Sequence, residues 1–133
     1  MLLREVRTPQ ELRHAVEEGL PLGALDSAVE RAFGRTGAAE GFKYRLVPRT
    51  TLNRRRGRPR ARLSPDESER TERLARMTAL AEQVFEDAAL AREFLTSAQP
   101  SLGGERPVDL VRSDLGTREV EDLLSALEYS LPV

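Results

Sequence analysis

The sequence predicts an all-α fold, and three observations favour this class. Aromatic residues make up only 5% of the 133 residues, so we expect a core of leucine, valine and alanine, which favours helices. Apolar residues recur at helical spacing along most of the chain. Helix-capping signals precede several of these segments, and no strand-rich region or internal repeat separates them. The pattern predicts about six to eight short helices at the usual helix length.

The first third of the chain contains two clear helical patterns. The first follows a capping residue, Thr8, with Glu11 placed to complete a capping box, and it ends before Gly19. The second has an apolar face of four residues, Leu22, Leu25, Val29 and Phe33. The next stretch, "TGAAEGFKYRLV" (36–47), begins as a loop or a weak helix. It ends in a short apolar pattern that fits either a helical turn or a strand.

The segment after Pro48 is short and strongly basic. "RTTLNRRRG" (49–57) suits two helical turns that end at Gly57, with Leu52 as the single apolar anchor. "RPRAR" (58–62) contains a proline and has no such anchor, so it is predicted to be a flexible basic linker.

The second half begins with the clearest helix of the sequence. Ser64 is its predicted cap and Glu67 closes a capping box. Its apolar stripe comprises Leu74, Met77, Leu80, Ala81, Val84 and Phe85. The next helix is expected to bury Leu90, Phe94 and Leu95. A turn at Gly103 and Gly104, a short helix and a closing helix with the stripe Val120, Leu123, Leu124 and Leu127 complete the chain.

Composition narrows the functional classes. The chain has no cysteine, which excludes disulfides and thiolate metal sites and favours an intracellular protein. No apolar run is long enough to span a membrane, and the start "MLLREVRTPQEL" is charged too early for a signal peptide. We therefore predict a cytoplasmic protein that does not bind membranes.

The sequence offers no catalytic constellation. His14 is the single histidine, and nothing near it suggests a catalytic triad. A metal site would have to consist of carboxylates, yet calcium-binding spacing is absent. We predict no catalytic residue, no metal site and no cofactor, which leaves an enzyme as the least favoured class.

Charge is distributed very unevenly along the chain. Residues 41–65 contain nine basic residues and no acidic one, whereas the rest of the chain has 12 basic and 22 acidic residues. The net charge of −1 hides this asymmetry. A basic segment without interspersed acids points to a polyanion-binding site more than to a solvated charge run.

The basic segment has the chemistry of a DNA-recognition helix. Arginine binds phosphates and reads guanine edges, and threonine and asparagine contact phosphates or bases. The part of the helix predicted to lie nearest the bases contains Arg49, Thr50, Thr51, Asn53 and Arg54. The residues predicted to grip the DNA backbone are Arg55, Arg56, Arg58, Arg60 and Arg62. RNA or an acidic protein remains an alternative partner.

Three stretches resemble a known family. They are "VPRTTLNRRR" with "LSPDESERTERLARM", then "AEQVFEDAALAREFLTSAQPSLGGERPVDLV", and finally "LGTREVEDLLSALEYSLP". In this order they resemble the Xre/MbcA/ParS-type antitoxins of type II RES–Xre toxin–antitoxin systems. The resemblance covers residues 47–132, about two thirds of the chain. Phe94 stands where tryptophan is usual, and Ser130 stands where a glycine often closes the last helix.

The resemblance implies two domains and two partners. Residues 1–62 would be an Xre-like helix-turn-helix domain that binds operator DNA as a homodimer and represses its own operon. Residues 63–133 would be a helical toxin-binding domain. The toxin would be a RES-domain protein that consumes NAD, and the tail of the antitoxin would plug its active site. The tail residues at matching positions are Glu128, Tyr129, Ser130, Leu131, Pro132 and Val133.

Physical chemistry supports a binding role for this tail. A tail stiffened by proline loses less entropy on ordering than a flexible one, and tyrosine is an effective interface anchor. The alternative is that the tail is only a frayed terminus. In that case the protein would be a plain helix-turn-helix regulator whose C-terminal helices serve only for dimerisation.

Overall fold

The computed structural model describes residues 8–130, which are arranged as α-helices and 3₁₀-helices with no β-strand among them. The all-α prediction is confirmed. The helices are α1 (Pro9–Glu18), α2 (Leu22–Phe33), α3 (Gly37–Leu46), α4 (Arg49–Arg55), α5 (Pro65–Phe85), α6 (Ala88–Thr96) and α7 (Asp114–Ser130). Two 3₁₀-helices, Pro100–Leu102 and Pro107–Arg112, connect α6 to α7. Within residues 8–130, no helix is both long enough and apolar enough to cross a membrane.

The predicted caps form. At α1 the Thr8 hydroxyl accepts a hydrogen bond from the Glu11 amide at 3.1 Å. At α5 the Ser64 hydroxyl accepts from the Glu67 amide at 3.2 Å, and the Glu67 carboxylate accepts from the Ser64 amide at 2.7 Å. This reciprocal box satisfies two amides that would otherwise lack partners at the start of the 21-residue helix.

The ambiguous stretch after α2 is helical. The Thr36 hydroxyl accepts from the Ala39 amide at 3.3 Å and so caps α3. Phe42 and Leu46 are buried, and the Phe42 ring lies 4.9 Å from that of Phe33 on α2. Tertiary packing of this aromatic pair stabilises a helix that contains two glycines and has weak local propensity.

The central helix α5 organises the fold. It packs against α1, α2, α6, α7 and the second 3₁₀-helix. Leu74, Met77 and Ala81 are fully buried, as the apolar stripe predicts, whereas Leu80 and Phe85 are half-buried. Because α5 contacts elements from both halves of the chain, one core extends through the described residues.

The prediction of a flexible linker at 58–62 is wrong at its C-terminal end. Arg62 forms an isolated antiparallel bridge with Pro21, and the Leu63 amide donates to the Leu20 carbonyl at 2.8 Å. The approach is close enough that a Cβ at Gly19, where φ is +95°, would lie 2.4 Å from the Leu63 carbonyl oxygen. Backbone pairing therefore holds the end of the basic segment against the α1–α2 turn.

The prediction that Leu90 faces inward is also wrong. Its side chain is 49% exposed, whereas Ala91, Phe94 and Leu95 are buried. The inward face of α6 is centred on these three residues, and a 100° step places Leu90 at its edge. Gly103 and Gly104, by contrast, have the positive φ values of +67° and +83° that the turn was predicted to need.

Candidate functional surfaces

Helices α3 and α4 form a helix-turn-helix arrangement. Only Val47 and Pro48 connect them. Val47 is fully buried at this turn, and Leu52 anchors α4 with 2% exposure. Leu52 is the one buried residue of this seven-residue helix, and the face that carries Arg49, Thr50, Asn53 and Arg54 is open to solvent. The structure thus places the predicted recognition helix on the surface.

Four of the five residues predicted to lie nearest the bases are exposed: Arg49, Thr50, Asn53 and Arg54. Thr51, the fifth, is half-buried. The guanidinium of Arg49 lies 4.5 Å from the ring centroid of Tyr44, an arrangement typical of a cation–π contact. This contact orients Arg49 from the preceding helix, which sequence reasoning did not anticipate.

Four arginines form what we call the basic patch: Arg54, Arg56, Arg58 and Arg60. All four are exposed. Within residues 8–130 no carboxylate comes within 4.0 Å of any of their guanidinium nitrogens, so no acidic side chain of this part of the chain pairs with them. The patch is consequently available to a polyanion.

The other basic residues of the segment have internal partners. Lys43 pairs with Asp26 at 2.7 Å, and Arg45 lies 3.8 Å from Asp109. Arg62 donates to the Gly19 carbonyl at 3.1 Å. Lys43 and Arg45 thus have acidic partners, whereas Arg62 is held by a backbone carbonyl and keeps its charge exposed.

Arg55 differs from its two arginine neighbours. Its guanidinium donates to the Glu67 carboxylate, the same group that closes the capping box of α5. The two side chains are 22% and 10% exposed, respectively. Arg55 therefore ties the end of α4 to the start of α5. The prediction that it grips the DNA backbone is not tested directly, but this pairing favours a structural role.

The pKa of Glu67 reflects this double use. Burial by itself raises the pKa of the carboxyl group, but hydrogen bonds from Arg55 and the Ser64 amide, together with the charge of Arg55, outweigh burial and lower the pKa below its ordinary value. A carboxyl group whose pKa is lower in the folded chain than in the unfolded chain stabilises the fold at pH values above its pKa in the unfolded chain. This stabilisation is lost as the pH falls through its pKa in the folded chain.

We expect Glu67→Gln to destabilise the fold at neutral pH by about 1–2 kcal/mol, since glutamine can keep the capping contact but loses the charged pair with Arg55. The difference from the unsubstituted chain should shrink as the pH falls through the lowered pKa of folded Glu67, because the carboxyl group then becomes protonated in the unsubstituted chain too. Chemical denaturation at neutral and acidic pH measures both effects.

Glu69→Gln on the same helix is the matched control. Glu69 is exposed and lies 4.0 Å from Arg73, so we expect its substitution to destabilise the fold by less than about 0.5 kcal/mol. Equal stability of the two variants at neutral pH would contradict the structural role of the Arg55–Glu67 pair.

The last turn of α7 carries half of the predicted tail. Glu128, Tyr129 and Ser130 are exposed, and Tyr129 reaches 91% exposure. The Ser130 hydroxyl donates to the Ala126 carbonyl at 2.9 Å, within the helix. Leu131, Pro132 and Val133, the other predicted tail residues, lie outside the described residues. A large aromatic side chain is thus presented to solvent at the helix end.

An apolar groove lies beside this turn, between α6 and α7. Its apolar lining consists of Phe85, Leu90, Phe94, Leu123 and Leu127. Sequence reasoning missed the groove because it assigned all five residues to the core. Leu90 was the one residue that could have indicated the groove, because it lies outside the helical face formed by the buried residues Ala91, Phe94 and Leu95.

The described residues contain no cluster of side chains that could hold a metal ion. Across residues 8–130, no three histidine, cysteine, aspartate or glutamate side chains cluster as metal ligands would. His14 is exposed on α1. The described residues present two distinct exposed features, the basic patch and the apolar groove.

Comparison with known proteins assigns both halves of the chain. Residues 11–76 match the family model of the antitoxin Xre-like helix-turn-helix domain. Residues 80–129 match that of the antitoxin Xre/MbcA/ParS C-terminal toxin-binding domain. The two matched ranges meet within α5, whereas the sequence prediction divides the chain between residues 62 and 63; that division stays a prediction.

Two relatives carry the name antitoxin Xre. The protein from Pseudomonas putida is 35% identical over 79 residues, which are 59% of this chain and 49% of that protein. The protein from Yersinia enterocolitica is 28% identical over 135 residues, covering 98% of this chain and 89% of that protein. The chain thus aligns with about half the length of the first relative and with most of the second.

Proposed function

The chain belongs to the Xre-type antitoxin family, with a helix-turn-helix domain and a toxin-binding domain, and from that premise we propose that it neutralises a RES-domain toxin and represses its own operon. The toxin consumes NAD, and the antitoxin tail blocks its active site. The protein acts in the cytoplasm, without a cofactor and without catalysis of its own. Its operator-binding form is a homodimer that presents two recognition helices to a palindromic site.

The observation that best supports the toxin-blocking role is the exposure of Tyr129. A tyrosine that is 91% exposed contributes almost nothing to its own fold, yet it offers a large rigid contact surface to a partner. It stands at the end of a helix, directly before the apolar residues 131–133. This placement suits insertion into a cleft.

The basic patch supports the DNA-binding role. Its arginines are exposed and without carboxylate partners among the described residues, and they flank the exposed Thr50 and Asn53 of α4. In a recognition helix, arginines contact phosphates or guanine edges, and short polar side chains contact phosphates or bases.

Cellular NAD tests the proposed toxin chemistry. The open reading frame next to this gene is expressed alone and together with the antitoxin. We expect NAD to collapse in the first culture and to be preserved in the second. If NAD stays constant in the first culture, the proposed toxin is wrong, and a plain helix-turn-helix regulator with a dimerising C-terminal domain becomes the better description. If NAD collapses in both cultures, neutralisation is excluded.

A further inference from the structure

We propose that the groove between α6 and α7 is a second docking site for the toxin, which receives an apolar side chain flanked by basic residues. This inference rests on the proposed function and extends it, because it adds a contact on the body of the antitoxin to the contact made by its tail. The occupant is a helix or loop of the toxin with a leucine or aromatic residue between lysines or arginines.

The groove combines five apolar lining residues with four polar ones, Glu93, Ser97, Gln99 and Ser101. The rings of Phe85 and Phe94 lie 5.3 Å apart at its base. Leu90 forms the α6 wall, and Leu123 and Leu127 form the α7 wall. With 49% of Leu90 exposed and both α7 leucines half-buried, the groove presents apolar area that a partner could cover.

One acidic residue lines the groove, and two more are next in sequence to lining residues. Glu93 lines it, while Glu86 and Glu128 directly follow the lining residues Phe85 and Leu127 in the chain. All three are exposed, and in the described part of the chain none forms a salt bridge. Residues 80–129 as a whole contain 11 acidic and four basic residues. The groove therefore favours a partner segment that is apolar at its tip and positively charged around it.

Position and charge favour the toxin over other occupants. The groove lies entirely within residues 80–129, the range matched by the toxin-binding domain. Leu127 and Tyr129 both lie in the last turns of α7, about 200° apart around the helix axis, so the groove and the tail occupy the same end of the helix on different faces. A toxin that holds the tail comes within reach of the groove. We call Glu86, Glu93 and Glu128 the acidic rim. A second copy of this chain in a two-fold contact would place the acidic rim of one copy against that of the other.

The test compares two single substitutions in the full chain. Leu90→Lys removes apolar area from the groove and adds a charge that opposes a basic partner. Leu115→Lys makes the same change at a 70% exposed leucine at the other end of α7, outside the groove. Binding of each variant to the purified toxin is measured by calorimetry, with thermal unfolding to verify the fold. We expect Leu90→Lys to weaken binding about tenfold or more, and Leu115→Lys to stay within about twofold.

A second pair of variants tests the acidic rim. Glu86→Gln, Glu93→Gln and Glu128→Gln are combined in one chain. The control combines Glu18→Gln, Glu105→Gln and Glu119→Gln, which remove the same charge from exposed positions outside the groove lining. We expect the rim variant to associate with the toxin more slowly at low salt, and with a weaker salt dependence, than the control.

The outcomes separate this inference from the proposed function. If the unsubstituted chain does not bind the toxin, the proposed function itself fails. If it binds and Leu90→Lys binds equally well, the groove inference is wrong while the proposed function stands. If Leu90→Lys changes only the self-association of the antitoxin, a second copy occupies the groove and the inference is again overturned.

Discussion

Deletion of residues 128–133 will abolish neutralisation of the toxin and leave operator binding intact. The deletion removes Tyr129, the most exposed large apolar side chain among the described residues, together with the proline-containing end of the tail. An anchoring tyrosine contributes a large share of interface energy, and a stiffened tail orders at a low entropic cost. We expect the affinity for the toxin to fall by about 100-fold or more, which corresponds to losing a central hot spot.

The measurement is the rate of NAD consumption by purified toxin, titrated with the full or the truncated antitoxin. The fold should tolerate the deletion, since Glu128, Tyr129 and Ser130 are all exposed. Ser125→Ala, an exposed change earlier on α7, is the matched control and should inhibit like the full chain. A truncated antitoxin that still inhibits stoichiometrically would show that the tail does not block the active site.

Replacement of Arg54 and Arg56 by glutamine will weaken operator binding and flatten its salt dependence. Both side chains are exposed and without a carboxylate partner among residues 8–130, so each can contact a phosphate. Each lost phosphate contact lowers the slope of log K against log salt concentration by about 0.9, so the pair should lower it by about 1.8. At low salt the affinity should fall about tenfold or more.

Arg35→Gln with Arg118→Gln is the control for net charge. These residues are 90% and 68% exposed and lie outside the basic segment, so their loss should leave the slope unchanged. Arg55 is kept in both variants because its loss would leave the half-buried end of α4 and the Glu67 carboxylate without their ion pair. Equal slopes for the two double variants would exclude the basic patch from the DNA contact.

Local signals in the sequence predicted much of the fold. Helix caps and apolar stripes depend on residues within a few positions of one another. Thr8 and Ser64 cap their helices as predicted, and Leu74 and Met77 are buried as predicted. The helix α3 could not be distinguished from a strand or a loop, because the pairing of Phe42 with Phe33 that stabilises it is a contact between helices.

The candidate surfaces were predictable only in outline. Arg54, Arg55 and Arg56 are chemically identical neighbours in the sequence, yet the structure exposes two of them and pairs the third with Glu67, 12 positions away. The groove was invisible for a similar reason. Helical spacing assigns Leu90 and Leu127 to apolar faces, but it cannot tell whether a facing element covers them.

By itself, the sequence determined the helical class, the caps, the stripe of the central helix and the location of the basic segment. Each of these depends on periodicity, on capping chemistry or on charge within one short segment. Only the tertiary structure decided which arginines remain free, which leucines stay open to solvent and where the basic segment is held to the core. These features depend on contacts between helices that are distant in the chain, and packing alone determines which side chains meet there.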